Sequence, residues 1–347
     1  QQPDGTQNPD TPPASRPKRI ILGSDTGISG DIGFDAYWTN NTDDKMIRTL
    51  INDYGTIIFD KEGLLCENPT ICAGVESVMN EDGSKTFTVK VQQGLKFNNG
   101  VDITARDFLA ATLVFNSPAA IEAQVSATPG FIVGDEAYQK GEVNYISGLR
   151  LVDEYTYSIT ICKEKVPYYF DLAYAGLSPL YLPMYSSAPL TVEDDGQGAY
   201  LAGGELTPEE IDATRYMYDS PVGAGPYILK SLDTASYEAV LEINPYYAGN
   251  YEGVKPQIQQ IVMVKTDKAT RFDALSSGAV DMLTSLTDGE EINTAMDLIE
   301  QGGFAGHQFE RSGYGKLQFQ CDFGPTQFAA VRYAIAYLLD RNEFANT

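Results

Sequence analysis

Apolar residues along this chain switch between short strand-like runs and helical spacings, with Gly, Pro, Asn and Asp marking the changes. The run 18–24 (KRIILGS) is a brief strand ending in a Gly-Ser-Asp turn. In 43–54 (DDKMIRTLINDY), Met46, Ile47, Leu50 and Ile51 recur at helical spacing behind two acids that suit the helix dipole, which predicts an amphipathic helix. A brief strand follows at 57–59, and 61–167 is β-rich. There 75–79 and 85–91 form a hairpin about Glu81-Asp82-Gly83-Ser84, and 149–152 and 155–162 form another about Asp153-Glu154. Between them Thr104 opens a helix with Asp107 in the capping-box position and Phe108, Ala111, Thr112 and Phe115 on one face. The stretch 167–175 (PYYFDLAYA), with Pro first, predicts a helix, and 194–204 (DDGQGAYLAGG) a flexible Gly-rich insertion. Thr207-Pro208 is a further helix start.

The chain is organised around 220–247, SPVGAGPYILKSLDTASYEAVLEINPYY. Pro221 and Pro226 fix φ, and Gly223 and Gly225 permit φ > 0, so PVGAGPY through Tyr227 reads as a specified loop with the character of a hinge. Two strands follow, 227–229 and 239–243, stopped by Asn244-Pro245. Beyond them the pattern predicts strands at 258–264, 280–283, 307–311 and 316–321, and helices at 267–277, 288–301 and 325–339. That alternation argues an α/β lobe, whose last helix start at 340–344 is cut short.

With 43% apolar and 21% charged residues in 347, the chain can bury large cores and divide into two or three lobes. Against 24 Lys and Arg stand 48 Asp and Glu, and the net charge of −24 argues against nucleic acid and against direct binding to anionic lipid. Solubility is the plain reading of that charge; selection of cationic ligands is the other. No run is long and apolar enough to span a bilayer, and residues 1–17, rich in Pro, Asp, Gln and Thr, read as a disordered tether. Four cysteines lack metal-site spacing. Cys66 and Cys72 could close a small loop in an oxidising compartment, whereas Cys162 and Cys321 read as buried small hydrophobes or, alternatively, a long-range bridge. For catalysis the signals are poor: His307 has no nucleophile motif around it, and the acid pairs Glu290-Glu291 and Asp194-Asp195 suit a helix start and a loop better than a hydrolase site. No cofactor, metal or enzymatic activity is expected.

Five stretches, in register, resemble the extracytoplasmic solute-binding proteins of ABC importers, the family that includes oligopeptide- and dipeptide-binding proteins. They are PVGAGPY with its strand pair and NPYYAGN; FTVKVQQGLKFNNGVDITARDF; LVDEYTYSITI; RFDALSSGAVDML; and VRYAIAYLLDRNEF. The resemblance implies a mixed α/β, periplasmic-binding-protein-like fold of class II type with hinged lobes, and a third lobe that is C-terminally incomplete. The expected division is a tether at 1–17, lobe I at 18–60 plus 176–265, a β-rich lobe II at 61–175, and the start of lobe III at 266–347. It implies an extracellular monomer that takes a small solute, most often a short peptide, into an interlobe cleft and delivers it to membrane permeases, with a lipid anchor as the only membrane contact. A sensory or chaperone-like domain of the same fold, or a secreted hydrolase, is the alternative. The aromatic pair Tyr37 and Trp38, in the loop after the first strand, and Tyr314, in a Gly-Tyr-Gly segment, are the expected ligand-wall residues. Pro221, Gly223, Gly225, Pro226 and Tyr227 are expected as hinge positions.

Overall fold

The computed structural model describes residues 18–33, 41–125, 130–308 and 316–340. The chain divides into two compact units, Gln1–Thr284 and Ser285–Thr347.

The first unit is built on two main sheets. In one, β1 (Arg19–Ser24) lies between two parallel neighbours, β13 (Gln260–Lys265) and β14 (Met282–Leu283). The sheet continues antiparallel from β13 to β12 (Glu238–Ile243) and β11 (Tyr227–Asp233). Helix α1 (Thr42–Ile51) covers this sheet. Its Ile47 and Ile51 join Leu229, Leu241, Ile261 and Met263 in one buried cluster. Each such fully buried aliphatic side chain is worth about 1.5–3 kcal/mol. The second sheet is fully antiparallel, ordered β4 (Cys72–Met79), β5 (Lys85–Val91), β8 (Thr156–Ile161), β7 (Leu149–Asp153). Helix α2 (Ala105–Phe115) packs on it, with Phe108, Leu109 and Leu113 fully buried and the Phe108 ring 6.0 Å from that of Tyr157. The Thr104–Asp107 capping box is formed as the sequence predicts. Smaller elements complete the unit: the pair β2 (Ile57–Phe59) and β3 (Leu65–Glu67); the sheet of β6 (Tyr145–Ile146), β10 (Ala199–Ala202) and β9 (Thr191–Asp194); and the short helices α3 (Pro118–Glu122), α4 (Asp135–Gln139), α5 (Pro208–Ala213) and α6 (Arg271–Ser276). Both α6 and β14, which the sequence reading places in the third lobe, lie within this first unit.

The second unit contains α7 (Gly289–Gln301), N-capped by Asp288, and α8 (Ala329–Leu338). No residue of α8 is buried: Tyr333, Tyr337 and Leu338 are largely exposed.

Several local expectations change. The segment 167–175 does not form an α-helix; only Asp171–Ala175 turns, as a 3₁₀ segment. Tyr168 and Tyr169 pack edge-on to Phe170, and a 2.6 Å ion pair from Lys85 holds Asp171 against β5, so tertiary contacts override the helix start. The predicted flexible insertion at 194–204 is ordered as the β9–β10 hairpin, paired from Ala199↔Asp194 to Ala202↔Thr191. Arg150 grips the Asp194 carboxylate through Nε (2.7 Å) and Nη2 (3.0 Å), which fixes the turn. Residues 316–321 and the described part of 307–311 are not strands, having no sheet partner there to complete a ladder. The possible bridge between Cys66 and Cys72 is not formed: both are free thiols, Cys66 in strand β3 and Cys72 buried at the start of β4, where burial pushes its pKa up to about 11. Cys162 and Cys321 are also free, and Cys321 is exposed where a buried residue was expected, because its segment lies outside any sheet.

Candidate ligand site

In open sheets the strand ends on the carboxyl side, where neighbouring crossovers part, are where ligands settle. Here that edge is formed by β1 and its two parallel neighbours, and a polar cluster collects there. Thr266 follows β13 and donates its backbone N–H to the Ser24 carbonyl at 2.7 Å. Ser24, at the end of β1, is 3% exposed, and its hydroxyl and the Gly27 backbone hydrogen-bond the Asp43 carboxylate at the start of α1. Burial dominates at Asp43: it pushes the pKa above the ordinary carboxylate range, the two hydrogen bonds offset this only partly, and Asp44 and Asp25 add to it. Asp44 is differently placed. It accepts the N–H groups of Ser29 (3.0 Å) and Gly30 (3.2 Å) and the Ser29 hydroxyl, and so shapes the loop after β1. Asn41 caps α1 through the N–H groups of Asp43 and Asp44 and donates from its amide to the Gly27 carbonyl, tying the same loop to the helix start.

Charged side chains ring this cluster. Arg271, the first residue of α6, is 1% exposed and reaches Asp25 at 3.4 Å, whereas the Asp25 side chain is 34% exposed and faces solvent. Lys265 lies 4.4 Å over the Tyr237 ring, above Gly27. On the other side of the loop, Arg48 donates to the Asp31 carbonyl (2.9 Å) and Arg215 pairs with the Asp31 carboxylate (2.7 Å). Two buried oxygens in the cluster have no hydrogen-bond partner: Asp43 Oδ1 and Thr266 Oγ1.

A second feature is a recess of about 30 Å³ lined by Ile32, Ile51, Phe97, Tyr181, Met184 and Val222, among others. That is room for roughly two waters, well short of the roughly 150 Å³ at which an apolar cavity takes up benzene. It is a packing gap beside the central loop and cannot hold a solute as it stands.

Of the residues singled out in the sequence, Tyr37, Trp38 and Tyr314 lie outside the described residues. Pro221, Gly223, Gly225, Pro226 and Tyr227 form an extended loop running into β11, but the glycines do not serve the purpose expected of them. Neither adopts positive φ. Both are pressed against the end of α1: a Cβ on Gly223 would come within 2.2 Å of the Ile51 carbonyl oxygen, and one on Gly225 within 2.4 Å of the Leu50 carbonyl oxygen. The loop is clamped from three sides, by Gly225 N–H to Ile51 O (2.8 Å), Asn98 N–H to Gly223 O (2.9 Å) and the Asn244 amide to Gly225 O (2.9 Å). The members of the polar edge escape sequence reading because each has an ordinary local explanation: Ser24 in a turn, Asp43 at a helix start, Thr266 in a loop. Only the parallel pairing of β1 with a strand some 240 residues later joins them. Among the described residues, no three His, Cys, Asp or Glu side chains are grouped to hold a metal ion.

A mixed α/β unit with a polar carboxyl edge and a separately cored β-rich layer is the architecture of a periplasmic-binding-protein-like solute receptor. The chain belongs to the bacterial extracellular solute-binding proteins, family 5, whose "Middle" model matches residues 73–347. It is 23% identical over 221 residues to the oligopeptide-binding protein OppA of Lactococcus lactis subsp. lactis, an alignment covering 63% of this chain and 34% of that one. Among solved structures it resembles an oligopeptide-binding protein, OppAIV, from Borrelia burgdorferi (TM-score 0.65, 19% identity), covering 95% of this chain and 58% of that one. Haemophilus influenzae OppA, solved with the peptide RPPGFSPFR, gives a TM-score of 0.54 at 18% identity, with 82% and 49% covered. The chain thus spans about a third of the length of the curated relatives it matches.

Proposed function

We propose that this protein is the substrate-binding component of a peptide-type ABC importer, which takes a short peptide between lobes and passes it to membrane permeases. The observation that carries this reading is the family match across residues 73–347, together with oligopeptide-binding proteins as its curated relatives. The polar carboxyl edge of β1 supports it, since that is where a hinged α/β receptor presents main-chain and side-chain partners to a solute. In this reading residues 18–60 and 176–265 form lobe I, 61–175 the β-rich lobe II and 266–347 the start of lobe III, with Tyr37, Trp38 and Tyr314 lining the cleft. A hydrolase is disfavoured by the acid pairs themselves. Asp194 is held by Arg150, and Glu290 and Glu291 donate their backbone N–H groups to the Asp288 cap at 3.0 and 3.4 Å.

Thermal unfolding against di- to pentapeptides, free amino acids, oligosaccharides and Ni²⁺ complexes tests the function. A solute bound only by the folded protein stabilises it by RT ln(1 + [L]/Kd), about 2.7 kcal/mol at a hundredfold excess over Kd. A rise in Tm with peptides alone is expected. A folded protein that responds to none of these classes would defeat the importer reading.

A further inference from the structure

In the central loop, the backbone N–H of Val222 donates to the thioether sulfur of Met184 at 3.1 Å. The other clamps described on this loop, from Asn98 to the Pro221 and Gly223 carbonyls and from Gly225 to Ile51, end on carbonyl oxygens, and sulfur is the poorer acceptor. Met184 closes the 3₁₀ turn Leu182–Met184, where the buried side chains of Leu182 and Tyr185 hold it from either side. Just ahead of the loop, Ser220 has φ +48°, a left-handed conformation that a non-glycine residue keeps only while its surroundings enforce it. Met184 and Met217, both partly exposed, line the recess of about 30 Å³ beside the loop. Room for roughly two waters excludes a peptide but admits hydrogen peroxide. Leucine would fill the place of Met184 and leave Val222 without its acceptor. Methionine packs and accepts at once, and it is also the side chain that oxidation turns polar.

We propose that Met184 is an oxidation site for hydroperoxides, and that its conversion to the sulfoxide releases Val222 and loosens the central loop. A sulfur lone pair attacks the terminal oxygen of the hydroperoxide. The S–O bond forms as the O–O bond breaks, and the proton on the transferred oxygen passes to the departing one. Sulfur gives up two electrons, and water or an alcohol leaves. The new oxygen cannot stand between sulfur and nitrogen, because an N–H···O bond alone takes about 2.9 Å of a gap that is 3.1 Å. Either the oxygen turns into the recess or the loop moves outward; in both cases the Val222–sulfur bond is lost. The strained Ser220 then has one restraint fewer. This inference goes beyond the importer reading and does not depend on it.

The test is a time course of the folded full chain in hydrogen peroxide, with peptide mass spectrometry following each methionine and amide hydrogen exchange following Val222. Met79, Met282 and Met296 are exposed and Met263 is buried, so the chain carries its own fast and slow references. Met184 is expected to gain one oxygen well before Met263, and Val222 exchange to rise at least tenfold in step with it. Replacing Met79, Met282 and Met296 by leucine should leave that response intact. Met184→Leu should abolish it, with Val222 exchanging fast before any peroxide is added, whereas Met217→Leu should respond as the wild type does. Oxidation of Met184 only together with Met263, a Val222 exchange rate unchanged by Met184 oxidation, or loss of the response in Met217→Leu would each overturn the proposal. The wild-type time course decides even if Met184→Leu fails to fold.

Discussion

Gly225→Ala tests whether the central loop is a clamped junction. The new methyl group would stand 2.4 Å from both the Leu50 carbonyl oxygen and the Ile51 carbonyl carbon, where ordinary contact begins at 3.4 Å. Those atoms are backbone at the end of α1 and cannot rotate away, so helix and loop must part by about 1 Å. Overpacking of this kind costs about 1–3 kcal/mol. Loss of the 2.8 Å bond from Gly225 N–H to the Ile51 carbonyl adds about 1 kcal/mol. A total of about 2–4 kcal/mol lowers Tm by roughly 3–7 °C for a unit of this size. Gly63→Ala is the control. Gly63 has φ +77° and nothing within 4 Å of its Cβ position, so this variant bears only the left-handed strain, about 1–2 kcal/mol. Differential scanning calorimetry, which separates transitions of the two units, should show Gly225→Ala as the more destabilised variant. The clamp argument is refuted if Gly225→Ala unfolds within a degree of the wild-type protein or above Gly63→Ala.

Three further outcomes follow from buried polar groups. Asp107 has its pKa pushed up to about 6 by burial, against hydrogen bonds from Thr104 that lower it. The folded state therefore holds this proton more tightly than the unfolded chain, and the stability it contributes is complete below about pH 4 and lost as pH rises to 6, on the order of 2–3 kcal/mol. Urea titrations of Asp107→Asn across that window should lack this part of the wild-type slope; identical slopes would refute it. At Asp194, burial alone would raise the pKa, but Arg150 and the N–H groups of Gly196 and Leu151 outweigh it and hold it low. Asp194→Ala should therefore cost about 2–4 kcal/mol at pH 7, and the difference from wild type should shrink as pH falls below about 4, where the carboxylate's advantage is lost. Tyr157→Phe removes a fully buried hydroxyl that donates to the Ala175 carbonyl at 3.0 Å and lies 3.2 Å from the Thr56 hydroxyl, and should cost about 1–2 kcal/mol by urea denaturation; a neutral result would mean Thr56 alone satisfies Ala175.

Local elements were legible where local chemistry decides them. The β4–β5 hairpin follows from strand alternation and an Asp-Gly turn whose Gly83 has φ +89°, and α2 from Thr104 and Asp107, whose reciprocal cap bonds both form. Legibility failed where distant contacts outweigh propensity. Pro167 signals a helix start that the aromatic packing of Tyr168–Phe170 and the Lys85–Asp171 pair prevent. The glycines of the central loop were rightly noticed, but the reason for them is backbone proximity, which spacing does not encode. The polar edge was hidden for the same reason: Thr266 and Arg271 reach Ser24 and Asp43 only when β1 pairs with β13.

That pairing also sets an order of assembly during synthesis. β1 is made first among the strands of its sheet, yet its partner Gln260 opposite Arg19 arrives about 240 residues later, and β14 later still. At about 5–20 residues per second, Ile20, Ile21 and Leu22 wait roughly 12–50 s for neighbours. The β4–β5–β8–β7 sheet, closed by residue 161, does not share the delay. Until then the apolar residues of β1 have no sheet neighbour, so this sheet closes last although its first strand is the earliest made.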